Sequence, residues 1–213
     1  MKCDKKTMLL YAVTDRAWTG KQTLYEQVEA ALKGGATCVQ LREKDLPEED
    51  FLKEAKEIGA LCKRYGVPFF INDNVDIAIA VHADGIHVGQ EDMAAAKVRE
   101  RVGKDMMIGV SAHSVQEAVD AVQNGADCLG VGAMFSTSTK TDADVLPMET
   151  LKEICEAVDV PVVAIGGIGK ANMKKFAGTG VDGFALVSAI FSASDIEKEC
   201  RELRKLAEET VGQ

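Results

Sequence analysis

Basic side chains that could bind phosphate follow the second apolar segment of the sequence and recur in a later polar stretch. Arg42 and Lys44 come directly after Leu41, and Lys140 lies much further along the chain. The alternation in Gln40-Leu41-Arg42 places Gln40 and Arg42 on one face of an extended strand and Leu41 on the other. The net charge of the chain is −9. Three basic groups brought to one site of an acidic protein predict binding of more than one phosphorylated group.

Two carboxylates occupy equivalent positions after later apolar segments. Asp73 follows the segment Phe69-Phe70-Ile71 and Asn72, and Asp92 follows the segment from Gly85 to Val88. Mg²⁺ binds one or two carboxylates and completes its coordination with phosphate oxygens and water. Beside basic groups, these two carboxylates therefore predict Mg²⁺ bound to a diphosphate.

A glycine turn late in the chain is a second candidate phosphate site. Val162-Val163-Ala164-Ile165 predicts a strand buried on both faces, and Gly166-Gly167 follows it. The helical pattern from Lys170 to Phe176 predicts a helix N-terminus beside these glycines, which favours phosphate binding. The next predicted strand ends at Val187-Ser188. Two consecutive strand ends of this kind predict the phosphate site that follows strands seven and eight of a (β/α)8 barrel.

The elements that must position these residues alternate between strands and helices. Eight apolar segments predict strands, beginning at Met8, Cys38, Phe69, Gly85, Met107, Cys128, Val162 and Val181. Similar phrases lead into four of them: Gly35-Ala36-Thr37, Ala83-Asp84-Gly85, Gly125-Ala126-Asp127 and Gly180-Val181-Asp182. The pattern predicts an α/β fold, a single (β/α)8 TIM barrel spanning residues 1–213. A doubly wound sheet is disfavoured because no Gly-x-Gly-x-x-Gly follows the first strand.

Composition narrows the class of protein. The acidic net charge argues against a nucleic-acid surface, and no apolar run approaches the length of a membrane span. The six cysteines include no Cys-x-x-Cys pair, so we expect reduced thiols in a cytoplasmic protein rather than a disulfide framework.

The three histidines offer little evidence of catalysis. His87 lies within the fourth predicted strand, where a buried and fully hydrogen-bonded ring is expected. His82 follows a helix and is expected at the surface or on the bottom face of the barrel, and His113 lies near the predicted site without a partner at a recognisable spacing. The sequence therefore predicts neither a catalytic triad nor a zinc site.

The chain resembles the thiamine phosphate synthase family over nearly its whole length. The matching motifs lie in order at the predicted strand ends: Tyr11-Ala12-Val13-Thr14-Asp15, Val39-Gln40-Leu41-Arg42-Glu43-Lys44, Ile71-Asn72-Asp73, His87-Val88-Gly89-Gln90-Glu91-Asp92, Gly109-Val110-Ser111, Thr137-Ser138-Thr139-Lys140 and Ala164-Ile165-Gly166-Gly167-Ile168. The resemblance implies a transferase that joins hydroxymethylpyrimidine diphosphate to hydroxyethylthiazole phosphate, with release of diphosphate through a dissociative, Mg²⁺-dependent route.

The resemblance also implies roles for individual residues. The pyrimidine diphosphate would bind at Gln40, Leu41, Arg42, Glu43, Lys44, Asn72, Ser111 and Lys140, with Arg42, Lys44 and Lys140 acting in catalysis. Asp73 and Asp92 would bind Mg²⁺. The thiazole phosphate would bind at Thr137, Ser138, Thr139, Gly167, Val187 and Ser188. The oligomeric state is left open, with a homodimer as one option.

The long predicted loop from Gly132 to Pro147 departs from the family at Ser136, where many members have proline, so we expect a less constrained loop. We expect it to act as a lid that excludes water from the reaction. Two alternatives remain open. A thiazole tautomerase on the same fold would need the thiazole phosphate site alone, and a non-catalytic phosphate-binding barrel would need neither carboxylate. A phosphosugar isomerase would need an acid/base pair that the sequence does not supply.

Overall fold

The computed structural model describes residues 3–20, 22–136 and 145–212. Within these ranges, eight parallel strands pair in sequence order and close on themselves as β1-β2-β3-β4-β5-β6-β7-β8. The strands are β1 Leu10–Val13, β2 Cys38–Leu41, β3 Phe69–Asn72, β4 Gly85–Val88, β5 Met107–Ala112, β6 Cys128–Val131, β7 Val162–Ile165 and β8 Gly183–Leu186. The predicted (β/α)8 barrel is confirmed.

Helices follow the strands and cover the outside of the barrel. They are α1 Leu24–Lys33, α2 Glu48–Tyr65, α3 Val75–Ala80, α4 Ala95–Val102, α5 Val115–Gln123, α6 Met148–Ala157, α7 Ser188–Phe191 and α8 Ile196–Val211. Short 3-10 turns lie at Lys5–Met8, Arg16–Trp18 and Met173–Phe176.

The helix predicted from Lys170 to Phe176 is wrong, because only the 3-10 turn Met173–Phe176 forms there. Asn172 explains the difference. Its side-chain oxygen accepts from the Gly169 backbone N–H at 2.9 Å, and its side-chain nitrogen donates to the Gly167 carbonyl at 2.9 Å. These local bonds compete with helical ones, so the chain turns here instead of starting a helix.

Two apolar layers hold the barrel together. Side chains that point inward form a small central cluster around Tyr11, Phe70 and Met107. Side chains that point outward, such as Leu41, pack in the larger cluster between the strands and the helices. Strand alternation therefore sends neighbouring residues to opposite layers.

The recurring phrases in the sequence correspond to one hydrogen-bonding arrangement, which is repeated at the amino ends of four strands. In each phrase a polar side chain accepts from a backbone N–H at the start of the preceding strand: Thr37 from Leu10 at 2.8 Å, Asp84 from Phe69 at 3.0 Å, Asp127 from Ile108 at 2.8 Å, and Asp182 from Val162 at 3.0 Å. The residue two positions earlier has positive φ in all four, at Gly35 (97°), His82 (52°), Gly125 (98°) and Gly180 (89°).

Candidate active site

A cavity of about 220 Å³ opens at the carboxyl ends of the strands, which we call the mouth of the barrel. Most of the predicted site residues that the structure describes line it: Gln40, Arg42, Lys44, Asn72, Asp73, Asp92, Ser111, Gly167, Val187 and Ser188. The structure thus brings together the basic groups, the carboxylates and the glycine turn.

Two predicted substrate residues do not line the mouth. The Leu41 side chain is 0% exposed and packs in the outer apolar layer, as the alternation of β2 requires. The Glu43 carboxylate instead accepts two hydrogen bonds from Arg16, at 3.1 and 3.0 Å. These two positions can reach a ligand in the cavity only through their backbones. Thr137, Ser138, Thr139 and Lys140 lie outside the described residues, as does the segment 137–144 of the predicted lid.

The two carboxylates predicted to bind metal interact with each other. Burial raises the pKa of Asp73, contact with the Lys44 ammonium opposes this effect, and a hydrogen bond with Asp92 adds to it. The Asn72 side-chain amide also donates to Asp73 at 2.6 Å, and the Gly89 backbone N–H donates to Asp92 at 2.7 Å. Adjacent carboxylates repel when both are ionised, and a divalent cation between them removes that cost.

The backbone at Asp73 is itself unusual. Its φ is 60°, in the left-handed region that aspartate tolerates better than most residues. Its backbone N–H donates to the His87 carbonyl on the neighbouring strand at 2.8 Å. This turn aims the carboxylate back into the mouth, where a pair of carboxylates suits Mg²⁺, which needs few protein ligands.

Arg42 is held at the mouth mainly through its backbone. Its N–H donates to the buried Thr14 hydroxyl at 3.0 Å, while the guanidinium Nη1 lies 3.9 Å from the Asp15 carboxylate. The guanidinium therefore has donors available for a phosphorylated ligand.

Gln40 is oriented by a residue whose role the sequence reasoning missed. Its side-chain Nε2 donates to the Tyr11 hydroxyl at 3.0 Å inside the barrel. Burial raises the pKa of Tyr11 well above its ordinary value. Tyr11 lies in the first matching motif, and the β1 alternation that points Val13 inward also points Tyr11 inward.

His87 differs from its expected role in two ways. It lines the cavity, with Nε2 3.0 Å from the Ser111 Oγ, and its buried Nδ1 has no partner in the described chain. The prediction of a fully hydrogen-bonded ring is therefore wrong for Nδ1. Burial lowers the pKa of His87 to about 4. Alternation along β4 could have indicated this inward position.

The glycine turn after β7 has the backbone conformation that glycine allows. Gly166 and Gly167 have φ values of 97° and 63°. A Cβ on Gly167 would lie 2.6 Å from the Ser136 carbonyl oxygen, so the turn packs directly against the loop that leaves β6. The predicted long-helix N-terminus is absent from this position. Any phosphate there would meet backbone amides of the turn and of Val187-Ser188.

These features define a (β/α)8 barrel whose mouth combines basic side chains, a glycine turn and an acidic pair. Residues 10–190 match the model of a family described as thiamine monophosphate synthase. The chain is 50% identical over 192 residues to the thiamine-phosphate synthase of Clostridium acetobutylicum, covering 90% of this chain and 91% of that protein. It is 45% identical over 208 residues to the thiamine-phosphate synthase of Pyrococcus abyssi, covering 98% of this chain and 99% of that protein.

A solved structure agrees with these sequence matches. The thiamine phosphate pyrophosphorylase of Pyrococcus furiosus superposes with a TM-score of 0.90 at 42% identity, covering 98% of this chain and 99% of that chain. The chain therefore belongs to the thiamine monophosphate synthase family, whose members are transferases. In the described part of the chain, no helix is long and apolar enough to cross a membrane.

Proposed function

We propose that the mouth joins hydroxymethylpyrimidine diphosphate to hydroxyethylthiazole phosphate, giving thiamine phosphate and diphosphate. The observation that carries this proposal is the shared cavity, in which the interacting pair Asp73 and Asp92 lies with Lys44 and with the Gly167 turn. One end of the mouth has the groups for a metal-bound diphosphate and the other has the amides for a second phosphate.

The pyrimidine diphosphate would bind on the side of β2, β3 and β5. Arg42 and Lys44 would contact the diphosphate, with Lys140 as a third basic group, and Asn72, Gln40 and Ser111 would contact the remainder. Leu41 and Glu43 would contribute only backbone groups, since their side chains point elsewhere. Asp73 and Asp92 would hold Mg²⁺, which when bound neutralises charge on the departing diphosphate.

The thiazole phosphate would bind at the turns after β7 and β8. Gly167, Val187 and Ser188 line the cavity and would supply backbone amides and one hydroxyl. Thr137, Ser138 and Thr139 would contribute further donors. This division leaves the thiazole nitrogen free to face the pyrimidine.

The chemistry would be dissociative. The C–O bond between the pyrimidine methylene and the diphosphate breaks, and its electron pair leaves with the diphosphate. The thiazole nitrogen then donates its lone pair to the resulting cation, so no general base is required. Arg42, Lys44 and Lys140 stabilise the charge that develops on the leaving group. Water would capture the cation, so a lid formed by the loop from 132 to 147 would protect the reaction.

A thiazole tautomerase is the second candidate. It would need the turns after β7 and β8 but would leave the carboxylate pair and Lys44 without a role. Incubation with thiazole phosphate alone distinguishes the two: isomerisation without the pyrimidine substrate would favour the tautomerase. Joining of the two substrates, lost with Asp73→Asn and with Lys140→Ala, would favour the synthase.

The remaining proposals concern the state of the protein. We propose a single domain over residues 1–213, located in the cytoplasm, because the described cysteines are free thiols and the reaction uses small charged substrates. A homodimer is the proposed assembly, and sedimentation equilibrium of the purified protein would test it.

A further inference from the structure

The His87 ring occupies a space that two glycines on the neighbouring strands leave free. It rises from β4 and lies over the neighbouring strands β5 and β6. A Cβ on Gly109 would lie 2.5 Å from Nδ1, and a Cβ on Gly130 would lie 3.1 Å from Cε1. Two glycines thus leave the space that the ring fills, and they restrict where its nitrogens can point.

The two ring nitrogens have different surroundings. Nε2 lies 3.0 Å from the Ser111 Oγ, while Nδ1 is buried without a hydrogen-bond partner among the described residues. A buried N–H without an acceptor is rarer in proteins than a buried acceptor without a donor. The proton therefore belongs on Nε2, where Ser111 accepts it, and Nδ1 keeps a bare lone pair.

This tautomer determines what Ser111 can offer to a ligand. The serine oxygen accepts from Nε2, so its own proton cannot point at the histidine. No group among the described residues accepts that proton, and the Gln90 side-chain amide donates at 2.6 Å to the Ser111 backbone carbonyl, not to its hydroxyl. The hydroxyl is therefore left to donate into the cavity that both residues line.

We propose that His87 is a positioning residue that makes Ser111 a hydrogen-bond donor to the pyrimidine substrate. The proposal rests on the proposed function for the identity of that substrate and assigns to His87 no contact with the reacting atoms. An acceptor atom of the substrate, such as a ring nitrogen, is then recognised at Ser111, and a group that can only donate is rejected.

The first test reads the tautomer directly in the wild-type protein without ligands. Two-bond ¹H–¹⁵N spectra of ¹⁵N-histidine-labelled protein should show His87 with Nε2 protonated and Nδ1 unprotonated. The exposed His82 and His113 serve as references in the same spectrum, and a His87→Gln sample assigns the signal. A ring protonated at Nδ1, or one averaging between tautomers, would overturn the proposal.

The second test is a double-mutant cycle on kcat/KM for the pyrimidine diphosphate. His87→Asn, whose amide is too short to reach Ser111, should lower kcat/KM about tenfold, and His87→Gln should recover most of this loss. In the Ser111→Ala background, His87→Asn should change kcat/KM less than twofold. An equal loss in both backgrounds would mean that His87 acts only on the fold, and the proposal would fail.

Gly109→Ala tests the same positioning of the ring without changing His87 or Ser111. Its Cβ would displace Nδ1, so it should reproduce the His87→Asn loss and lose that effect in the Ser111→Ala background. The tests of the His87 role and of the proposed function can fail separately. Failure to join the two substrates would overturn the proposed function. The tautomer of His87 in the ligand-free protein would still test the positioning role.

Discussion

Replacing Gly167 with alanine should selectively impair the thiazole phosphate site. Gly167 has a φ of 63°, and an L-residue in the left-handed region costs about 1–2 kcal/mol. The new Cβ would also lie 2.6 Å from the Ser136 carbonyl oxygen and 2.8 Å from the Phe135 Cβ. Neither neighbour is the end of a flexible chain, so the segment at 135–136 must move, at a cost of about 1–3 kcal/mol.

The two effects act on the same turn, so together they should weaken the site by at least about thirtyfold. Steady-state kinetics with each substrate varied in turn would measure the change. We expect the KM for thiazole phosphate to rise by this factor, with a much smaller change in the KM for pyrimidine diphosphate. Thermal unfolding of the same sample would record how much of the cost appears as lost stability.

Gly169→Ala is a matched control two residues away. Its Cβ would have no contact closer than 3.7 Å, to the Ala189 Cβ, so both KM values should stay near those of the wild type. A Gly167→Ala protein with wild-type Tm and a thiazole phosphate KM within twofold of the wild type would refute the steric reasoning and the assignment of this turn.

Three further predictions follow from particular residues. Asp73→Asn should lower turnover by about a hundredfold or more and weaken Mg²⁺ binding measured by calorimetry, while Tm stays level or rises, because burial already raises the pKa of Asp73. Burial lowers the pKa of His87 from 6.5 to about 4, so as the pH falls the unfolded chain takes up a proton at this ring before the folded chain does. Acidification across this range should therefore lower the free energy of unfolding by up to about 3 kcal/mol. Urea unfolding at several pH values would show this slope, and His87→Gln should reduce it. His82→Gly should change stability by less than about 1 kcal/mol, whereas Gly35→Ala should cost more, because the φ of 97° at Gly35 is one that residues with a side chain rarely adopt.

Strand positions and the mouth were predictable because both depend on local patterns. The strands Cys38–Leu41, Gly85–Val88 and Cys128–Val131 begin at the predicted residues, since each is an apolar run that follows a turn phrase. In a barrel, every strand end points to one face, so the polar residues after the strands had to meet there. Period-two alternation also predicted that Gln40 and Leu41 lie on opposite faces of their strand.

The sequence did not predict the role of His87 or the missing helix after β7, nor that the side chains of Leu41 and Glu43 do not line the mouth. The role of His87 requires its ring to cross Gly109 and reach Ser111, which lie more than twenty residues later on β5. The lost helix after β7 depends on one side chain, Asn172, whose local bonds outweigh the helical pattern. Leu41 and Glu43 were included because they lie within a matching motif, and the motif does not say which side chains face the ligand.

The central claim is that this mouth joins the two substrates with the help of Mg²⁺. The most direct measurement mixes the purified protein with hydroxymethylpyrimidine diphosphate and hydroxyethylthiazole phosphate and follows thiamine phosphate and diphosphate together. We predict that the two products form in equal amounts, only when both substrates are present, and that excess chelator stops the reaction until Mg²⁺ is restored. Absence of thiamine phosphate, or its formation at an unchanged rate in excess chelator, would contradict the account.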